Sequence, residues 1–422
     1  MHSKTLALAI AAALGFAGYG ARADAATRPQ STASAAEVAQ LKAQLAALQA
    51  KVDELSQQSE AQTAAQAETA QAVQKVEADG KNAGGTQSKS LEALNKLVNN
   101  TKVSGKMFFD FTNIDQKNSD TGRTAANGTG LDVKRFYLGV DHKFNDIWSA
   151  NLTTDFNYVA NDGETNLFVK KAYVQGKFDQ AAILRIGSAD MPWIPFVENV
   201  YGYRYVENTI TDRLKYANSA DWGLHALGDV GAGKMFNYAV SVVNGAGYKN
   251  PSRSKGVDVE ARVGFVPFDG LTVALGGYSG HRGQETQTTS APHTAQRGDF
   301  LIAYVNKQFR VGGEYFTAKD WNNVLTPRSD KADGWSVWGS VALNDDLSLF
   351  ARYDEAKLSK DLDRNAKDTY WNLGLQYQVT KGFKLAGVWK HEKGDKSVTT
   401  PLPAHVQNVK TNEIGVFGEV AF

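Results

Sequence analysis

Apolar and polar residues alternate in runs of about ten from Val103 to the last residue, Phe422. A period of two places successive side chains on opposite faces of a β-strand. The run from Trp371 to Val379 alternates without a fault. About ten residues is the length that a tilted strand needs to cross the hydrocarbon of a membrane. The pattern therefore predicts strands that each have one apolar and one polar face.

Short and long connections alternate between the runs. Turn-forming residues such as Asn145-Asp146 and Asp269-Gly270 follow even-numbered runs. The connections after odd-numbered runs are polar and roughly 8 to 30 residues long. Such regularity is expected of a barrel with one rim on each side of a membrane, so we predict an all-β transmembrane barrel with 16 antiparallel strands. The predicted strands are 103–114, 131–144, 147–158, 167–178, 182–188, 219–228, 234–243, 257–267, 271–280, 298–307, 309–318, 333–343, 347–357, 368–379, 383–391 and 411–422.

A soluble sandwich or propeller also alternates, so this pattern alone does not distinguish water from lipid. Bulky aromatic residues recur near the ends of the runs, as in the girdles of membrane barrels. The polar face carries charges of both signs, which suits a wet lumen better than a packed core. The chain ends on Phe422, with Val420 and Val416 on the same face, and we interpret Phe422 as an assembly signal. These features favour the bacterial cell outer membrane.

The first residues have the form of a signal peptide. Lys4 supplies a positive start, an apolar run extends from Leu6 to Ala17, and Ala21-Arg22-Ala23 resembles a cleavage site. The apolar run is too short to cross a bilayer as a helix, which needs roughly 20 residues. We predict a signal peptide at 1–23, a periplasmic coiled coil and linker at 24–100, and a barrel domain at 101–422.

Apolar residues between 37 and 79 follow an alternating spacing of three and four, which is the seam of a coiled coil. The same register continues across polar positions to Val73 and Val76. We therefore predict an N-terminal α-helical coiled coil, with a single amphipathic helix or a disordered linker as the alternatives. Leu91, Leu94 and Leu97 suggest a separate short helix. The seam consists of Val38, Leu41, Leu45, Leu48, Val52 and Leu55.

Composition argues against several classes of function. The 46 basic and 45 acidic residues leave a net charge of +1, which does not suit a nucleic-acid-binding surface. The chain has no Cys, so disulfides and thiolate metal sites are excluded. The segment from Gly228 to Lys234 resembles a phosphate-binding loop, but Met235 replaces its hydroxyl residue. We expect no catalytic residues, cofactor or metal, although a hydrolase with dispersed Ser, His and Asn residues stays open.

Four short motifs resemble the phosphate-selective porin O and P family in their order and spacing. They are Lys134 to Val140, Leu184 to Gly187, Pro192, and Asp221-Trp222-Gly223. The resemblance covers roughly 103–422 and is strongest over 131–230. It implies a 16-stranded homotrimer that conducts small solutes passively, with phosphate or polyphosphate preferred in some members.

One inward-facing strand departs from this family. Phosphate-specific members line the pore with arginines and lysines, whereas this sequence places Asp258 and Glu260 beside Arg262. Phosphate selectivity therefore does not follow from the resemblance.

The longest irregular connection, 188–218, is rich in aromatic residues and is poorly suited to lie free in water. We expect it to fold inward and to narrow the pore; the alternative is that it packs against the wall or at a trimer centre. Charges at the narrowest point set ion selectivity. The predicted constriction residues are Tyr203, Arg204, Tyr205, Arg213 and Lys215, and the predicted pore-lining cations are Arg135, Arg185, Arg262, Arg310, Arg352 and Lys384.

These features together predict a passive channel for small hydrophilic solutes, with a mild preference for anions and with phosphate or phosphorylated solutes as candidates. The expected partners are outer-membrane lipid, two further copies in a homotrimer and small polar or anionic solutes, with peptidoglycan as a candidate partner of the coiled coil. Two alternatives remain: a channel specific for a carbohydrate or another polar solute, and a structural envelope tether with the barrel as its anchor.

Overall fold

The computed structural model describes residues 70, 86–118, 122–123, 127–159, 164–395 and 409–422. The predicted signal peptide and the predicted coiled-coil seam lie outside these residues. A helix, α1, spans Thr86–Asn100 and confirms the short helix predicted before the barrel. No helix in the described ranges is long and apolar enough to cross a bilayer.

Sixteen long strands follow α1, as the alternation predicts, and a two-residue strand, Gly122–Arg123, pairs with the end of the first. Two helices, α2 (Ile194–Tyr201) and α3 (Ile210–Arg213), lie in the connection after the fifth strand. The strands are β1 Thr101–Asn118, β2 Gly128–Lys143, β3 Trp148–Val159, β4 Glu164–Lys177, β5 Ile183–Asp190, β6 Ala220–Val230, β7 Phe236–Val243, β8 Asp258–Phe265, β9 Leu271–Gly280, β10 Ala295–Val305, β11 Phe309–Lys319, β12 Lys331–Ala342, β13 Leu347–Lys357, β14 Lys367–Thr380, β15 Phe383–Asp395 and β16 Val409–Ala421.

Each strand pairs antiparallel with its neighbours in sequence, and β1 pairs with β16 from Lys106↔Ala421 to Asn118↔Val409. This last pairing closes the sheet into a barrel, so the predicted fold class is confirmed for the described residues. Most strand boundaries differ from the prediction by one to four residues, including the starts of β10 and β4. β10 begins at Ala295, and β4 begins at Glu164, which shortens the connection after β3 to 160–163. Near the rims both faces of a strand are polar. The alternation of apolar and polar residues therefore stops before the backbone pairing ends.

The outer face of the barrel is apolar. On β8, Val259 and Val263 are exposed whereas Asp258, Glu260 and Arg262 are buried inside, which confirms the predicted faces of this strand. Several of the expected girdle aromatics are exposed: Trp148, Phe178, Phe265, Trp335 and Trp389. A barrel in a lipid bilayer requires this arrangement, with apolar residues on the outer face and polar residues on the inner face.

Aromatic rings cover glycines at the seam between β1 and β16. Phe109 pairs with Gly418, and a Cβ added at Gly418 would overlap the Phe109 ring. Phe422 forms two backbone hydrogen bonds with Gly105, of 3.0 and 3.1 Å, and its ring occupies the space where a Gly105 side chain would lie. Aromatic coverage of a strand glycine pins register in β-sheets, so these two contacts fix how the barrel closes.

Replacing Gly418 with Val is expected to destabilise the closed barrel by about 1–3 kcal/mol, because the branched side chain displaces the Phe109 ring. The measurement is the urea midpoint of the refolded barrel, followed by heat-modifiable gel migration. Gly130→Val is the matched control, since a Cβ at Gly130 meets no atom within 4 Å. Equal midpoints for the two variants would contradict this account of the seam.

Candidate functional site

The connection after β5 lies inside the barrel. Residues 191–219, the lumen loop, contain α2 and α3. Its apolar side chains pack on inward-facing aromatic and aliphatic residues of the wall, including Phe350 and Phe417. The inner face is therefore not uniformly polar, as the sequence suggested: an apolar patch forms where the loop covers it. The buried side chains of the loop include Trp193, Val197, Tyr201, Tyr205, Val206 and Ile210.

Charged wall residues satisfy the backbone of the lumen loop. Arg262 donates through Nε to the carbonyl of Pro192 at 2.9 Å, and Arg310 and Arg352 donate to the carbonyls of Val200 and Asn208. In the other direction, Glu260 accepts from the Trp193 N–H at 2.9 Å and Glu314 accepts from the Ile210 N–H at 3.1 Å. A loop buried in a barrel needs such partners, because unpaired backbone groups are costly. Three predicted pore-lining arginines thus anchor the loop.

Arg213 anchors the lumen loop from the loop side, through carboxylates of the wall. Only 7% of its surface is exposed, and its guanidinium contacts three carboxylates on successive strands: Asp354 at 3.2 Å, Glu392 at 2.6 Å and Asp368. Its charge is therefore fully paired within the wall. Lys215, by contrast, has a side chain that is 56% exposed and lies 3.7 Å from Asp212.

The other predicted constriction residues lie on two sides of the loop. The Tyr203 ring stacks on Phe350 with 4.2 Å between centroids, and the Tyr205 hydroxyl donates to Gln376 at 2.9 Å. Both tyrosines therefore face the wall. Arg204 instead faces the opposite side, paired with Glu198 and 3.6 Å from Asp212. Burial opposes its charge, but these carboxylates raise the pKa of Arg204, so the group stays cationic.

The larger open part of the lumen lies between the lumen loop and strands β1 to β5, β15 and β16. It is a cavity of about 660 Å³, hereafter the passage, and it reaches the rim that carries the short turns. Five cations and four carboxylates line it: Lys106, Lys170, Lys171, Arg204 and Lys384, with Asp141, Asp190, Glu198 and Glu419.

Two β-bulges place pairs of adjacent cations inside the barrel, and one of these pairs, Lys170-Lys171, lines the passage. Between β1 and β2, Phe108 pairs with Arg135 and Phe109 with Val133, which leaves Lys134 as the extra residue. Between β3 and β4, Thr153 pairs with Lys171 and Thr154 with Val169, which leaves Lys170. A bulge re-aims a side chain that strict alternation would send to the other face. Both members of each pair, Lys134-Arg135 and Lys170-Lys171, therefore contact groups inside the barrel.

Lys170 differs from the other three cations of the bulges because it does not form an ion pair within the described residues. Arg135 lies 2.8 Å from Asp155, Lys171 lies 2.7 Å from Asp190, and Lys134 lies 3.7 Å from Asp110. Lys170 is 9% exposed, and its Nζ lies 3.3 Å from the Tyr137 hydroxyl and 4.5 Å from that ring's centroid. No carboxylate of the described residues forms an ion pair with it.

The remaining predicted cations are also inside the barrel. Arg185 donates to Gln175 at 2.8 Å and lies over the Tyr173 ring, while Lys384 pairs with Glu419 at 2.9 Å. Lys170 is not among the pore-lining residues predicted from the sequence. A signal for it was present, since two adjacent lysines in mid-strand would place one on the lipid face, at a cost of about 2–4 kcal/mol.

Comparisons with known proteins agree with this architecture. Residues 101–291 match the family model described as phosphate-selective porin O and P. The match begins at the first barrel strand and ends in the connection after β9. The chain is thus an outer-membrane porin, and its barrel is a transmembrane channel. A search of curated proteins gives no match.

Three solved porin structures share the fold at low sequence identity. The anion-selective porin from Comamonas acidovorans has a TM-score of 0.55 and 13% identity, over 76% of this chain and 99% of that one. The outer membrane channel DcaP of Acinetobacter baumannii has a TM-score of 0.54 and 13% identity, over 76% and 97%. A loop L8 deletion mutant of OmpT from Vibrio cholerae has a TM-score of 0.50 and 14% identity, over 76% and 99%.

Replacing Arg213 with Met is expected to destabilise the porin by about 3–5 kcal/mol, because the buried Asp368 and the partly buried Glu392 lose their cation. The freed loop should also add current noise to single channels. Urea unfolding and planar-bilayer recordings measure the two effects. Lys215→Met is the matched control, since that ammonium is exposed and should change the unfolding free energy by less than about 1 kcal/mol. Similar noise in both variants would show that Arg213 does not anchor the loop.

Proposed function

We propose that this porin is a passive diffusion channel for small hydrophilic solutes, with a mild preference for anions. Three ion pairs in the passage consume most of its charge: Lys171–Asp190, Arg204–Glu198 and Lys384–Glu419. Of the five cationic and four acidic side chains that line it, Lys106, Lys170 and Asp141 remain, which leaves one excess cationic side chain. A single excess charge in a water-filled pore biases permeation without binding any ion tightly.

The proposal rests on the surroundings of the Lys170 ammonium. Its ammonium is held by a phenol and ring faces, which attract a cation but carry no net charge. Its field is therefore available to a passing anion. Arg204 lies on the loop side of the passage with its charge paired to Glu198, whereas Arg213, Tyr203 and Tyr205 act by positioning the loop. Phosphate and phosphorylated solutes would enter as members of the anion class. The Comamonas acidovorans porin of the same fold is described as anion-selective.

We also propose a homotrimer in the outer membrane, with residues 24–100 in the periplasm as a coiled coil that reaches towards peptidoglycan. The family resemblance and the heptad spacing support this arrangement. The expected result is a species of three chains in unheated detergent solution, measured by native mass spectrometry. Deleting 37–79 should leave single-channel conductance intact; lost envelope integrity with unchanged conductance would favour the tether function instead.

Replacing Lys170 with Gln should lower the anion-to-cation permeability ratio by a factor of roughly two to five, since a unit charge about 4 Å from an ion in water changes its energy by about 1 kcal/mol. The measurement is the reversal potential of the reconstituted porin in a KCl gradient. The effect should weaken at high salt because screening shortens the range of the charge.

Two further variants test whether the permeability ratio depends on the charge of the passage. Asp141→Asn should raise the ratio, because it removes the remaining carboxylate of the passage. Lys143→Gln should leave it unchanged, since Lys143 is exposed at the short-turn rim and pairs with Asp146 at 2.8 Å. An unchanged reversal potential in Lys170→Gln, or a cation preference in the unmodified porin, would refute the proposed anion selectivity.

A further inference from the structure

Aromatic rings surround Lys170, which lines the passage, and continue from it to Lys249 on the connection after β7. Lys170 Nζ lies 4.5 Å from the Tyr137 ring centroid and 5.8 Å from that of Tyr248. Tyr248 stacks on Phe168 with 5.9 Å between centroids and 29° between planes. Lys249 Nζ lies 4.5 Å from the opposite ring, Phe168. The two cations are thus linked by a continuous series of rings that includes no acidic side chain.

The turn that carries Tyr248 is built into the barrel wall. Asp221 accepts hydrogen bonds of 3.0 Å from the N–H groups of both Gly245 and Gly247. Both glycines have positive φ, 89° and 79°, which other residues rarely adopt. The indole N–H of Trp222 donates to the Tyr248 carbonyl at 3.0 Å. These bonds hold the Tyr248 backbone, so the position of its ring does not depend on a solute.

Ring faces change how a lysine interacts with anions. They displace water from one side of the ammonium without cancelling its charge. A compact, strongly hydrated anion such as phosphate must lose part of its own hydration to approach, and the rings offer it no hydrogen bonds in return. An anion with an apolar body can instead place its charged end at the ammonium and its body against the rings. The neighbouring pair Arg135–Asp155, at 2.8 Å, adds no net charge to this surface.

We propose that the passage favours organic monoanions with an apolar body, such as aryl carboxylates, over inorganic phosphate. This inference rests on the proposed anion selectivity and gives it a chemical class. Lys170 supplies the charge, and Tyr137, which lines the passage beside it, supplies apolar contact. Tyr248, stacked on Phe168, extends the ring surface next to Lys170, and Asp221 with Trp222 positions the turn that carries Tyr248.

The experiment compares benzoate with dihydrogen phosphate, as potassium salts at equal concentration and mildly acidic pH, across bilayers that contain the full-length porin. The reversal potential gives their permeability ratio, which is divided by the ratio of their free-solution mobilities. The corrected benzoate-to-phosphate ratio should exceed one. It should fall by roughly two- to fivefold in the double variant Tyr137→Leu with Tyr248→Leu, as expected for the loss of aromatic contacts.

Two controls distinguish a failure of the ring inference from a failure of the proposed anion selectivity. The double variant Tyr315→Leu with Tyr353→Leu removes rings that are 43% and 36% exposed on the outer face, and it should leave the corrected ratio unchanged. Lys170→Gln should lower chloride permeability relative to potassium. If Lys170→Gln lowers it but the ring variant keeps the benzoate-to-phosphate ratio, the ring inference is overturned and the anion selectivity stands. If Lys170→Gln has no effect on chloride, both are overturned. Single-channel conductance confirms that each variant has folded.

Discussion

In hydrocarbon, every backbone N–H and C=O must find a partner within the protein, because an unpaired group costs several kcal/mol. The pairing of β1 with β16 satisfies this constraint by leaving no strand edge. The same constraint acts on the lumen loop, whose backbone is enclosed by the barrel. Its carbonyl and N–H groups bond to Arg262, Arg352 and Glu260 on the wall. Charges of both signs inside the barrel therefore hold the loop as well as line the passage.

Much of the barrel could be predicted from the sequence because a strand exposed to lipid on one face and water on the other has a strict period of two. The sixteen strands follow from that period alone. Strand ends could not be predicted as well, since polar residues occupy both faces near the rims, as at the start of β10. The bulges at Lys134 and Lys170 break the period locally, and a pattern search that assumes alternation assigns only one cation of each pair, Lys134-Arg135 and Lys170-Lys171, to the lumen.

The candidate site was less predictable than the fold. The inward position of the lumen loop could be predicted from its apolar residues, but its ion pairs could not. Arg213 meets Asp354, which is 141 residues away in sequence, and Asp368, which is 155 away. Such pairs depend on barrel register, not on local spacing. The two loop arginines, Arg204 and Arg213, are therefore paired with carboxylates, whereas the less noticeable Lys170 forms no ion pair with a carboxylate of the described residues.

The bulge at Lys170 also bears on how pore charge can change during evolution. Without Lys170, the neighbouring sequence would read Leu167, Phe168, Val169, Lys171, which alternates regularly and keeps both aliphatic residues on the lipid side. Lys134 stands in the same relation to its own strand. A single-codon insertion in mid-strand can therefore add one cation to the channel without shifting any side chain of the outer face, and a deletion can remove it. Related porins could in this way change their ion selectivity while the apolar outer surface of the barrel stays the same.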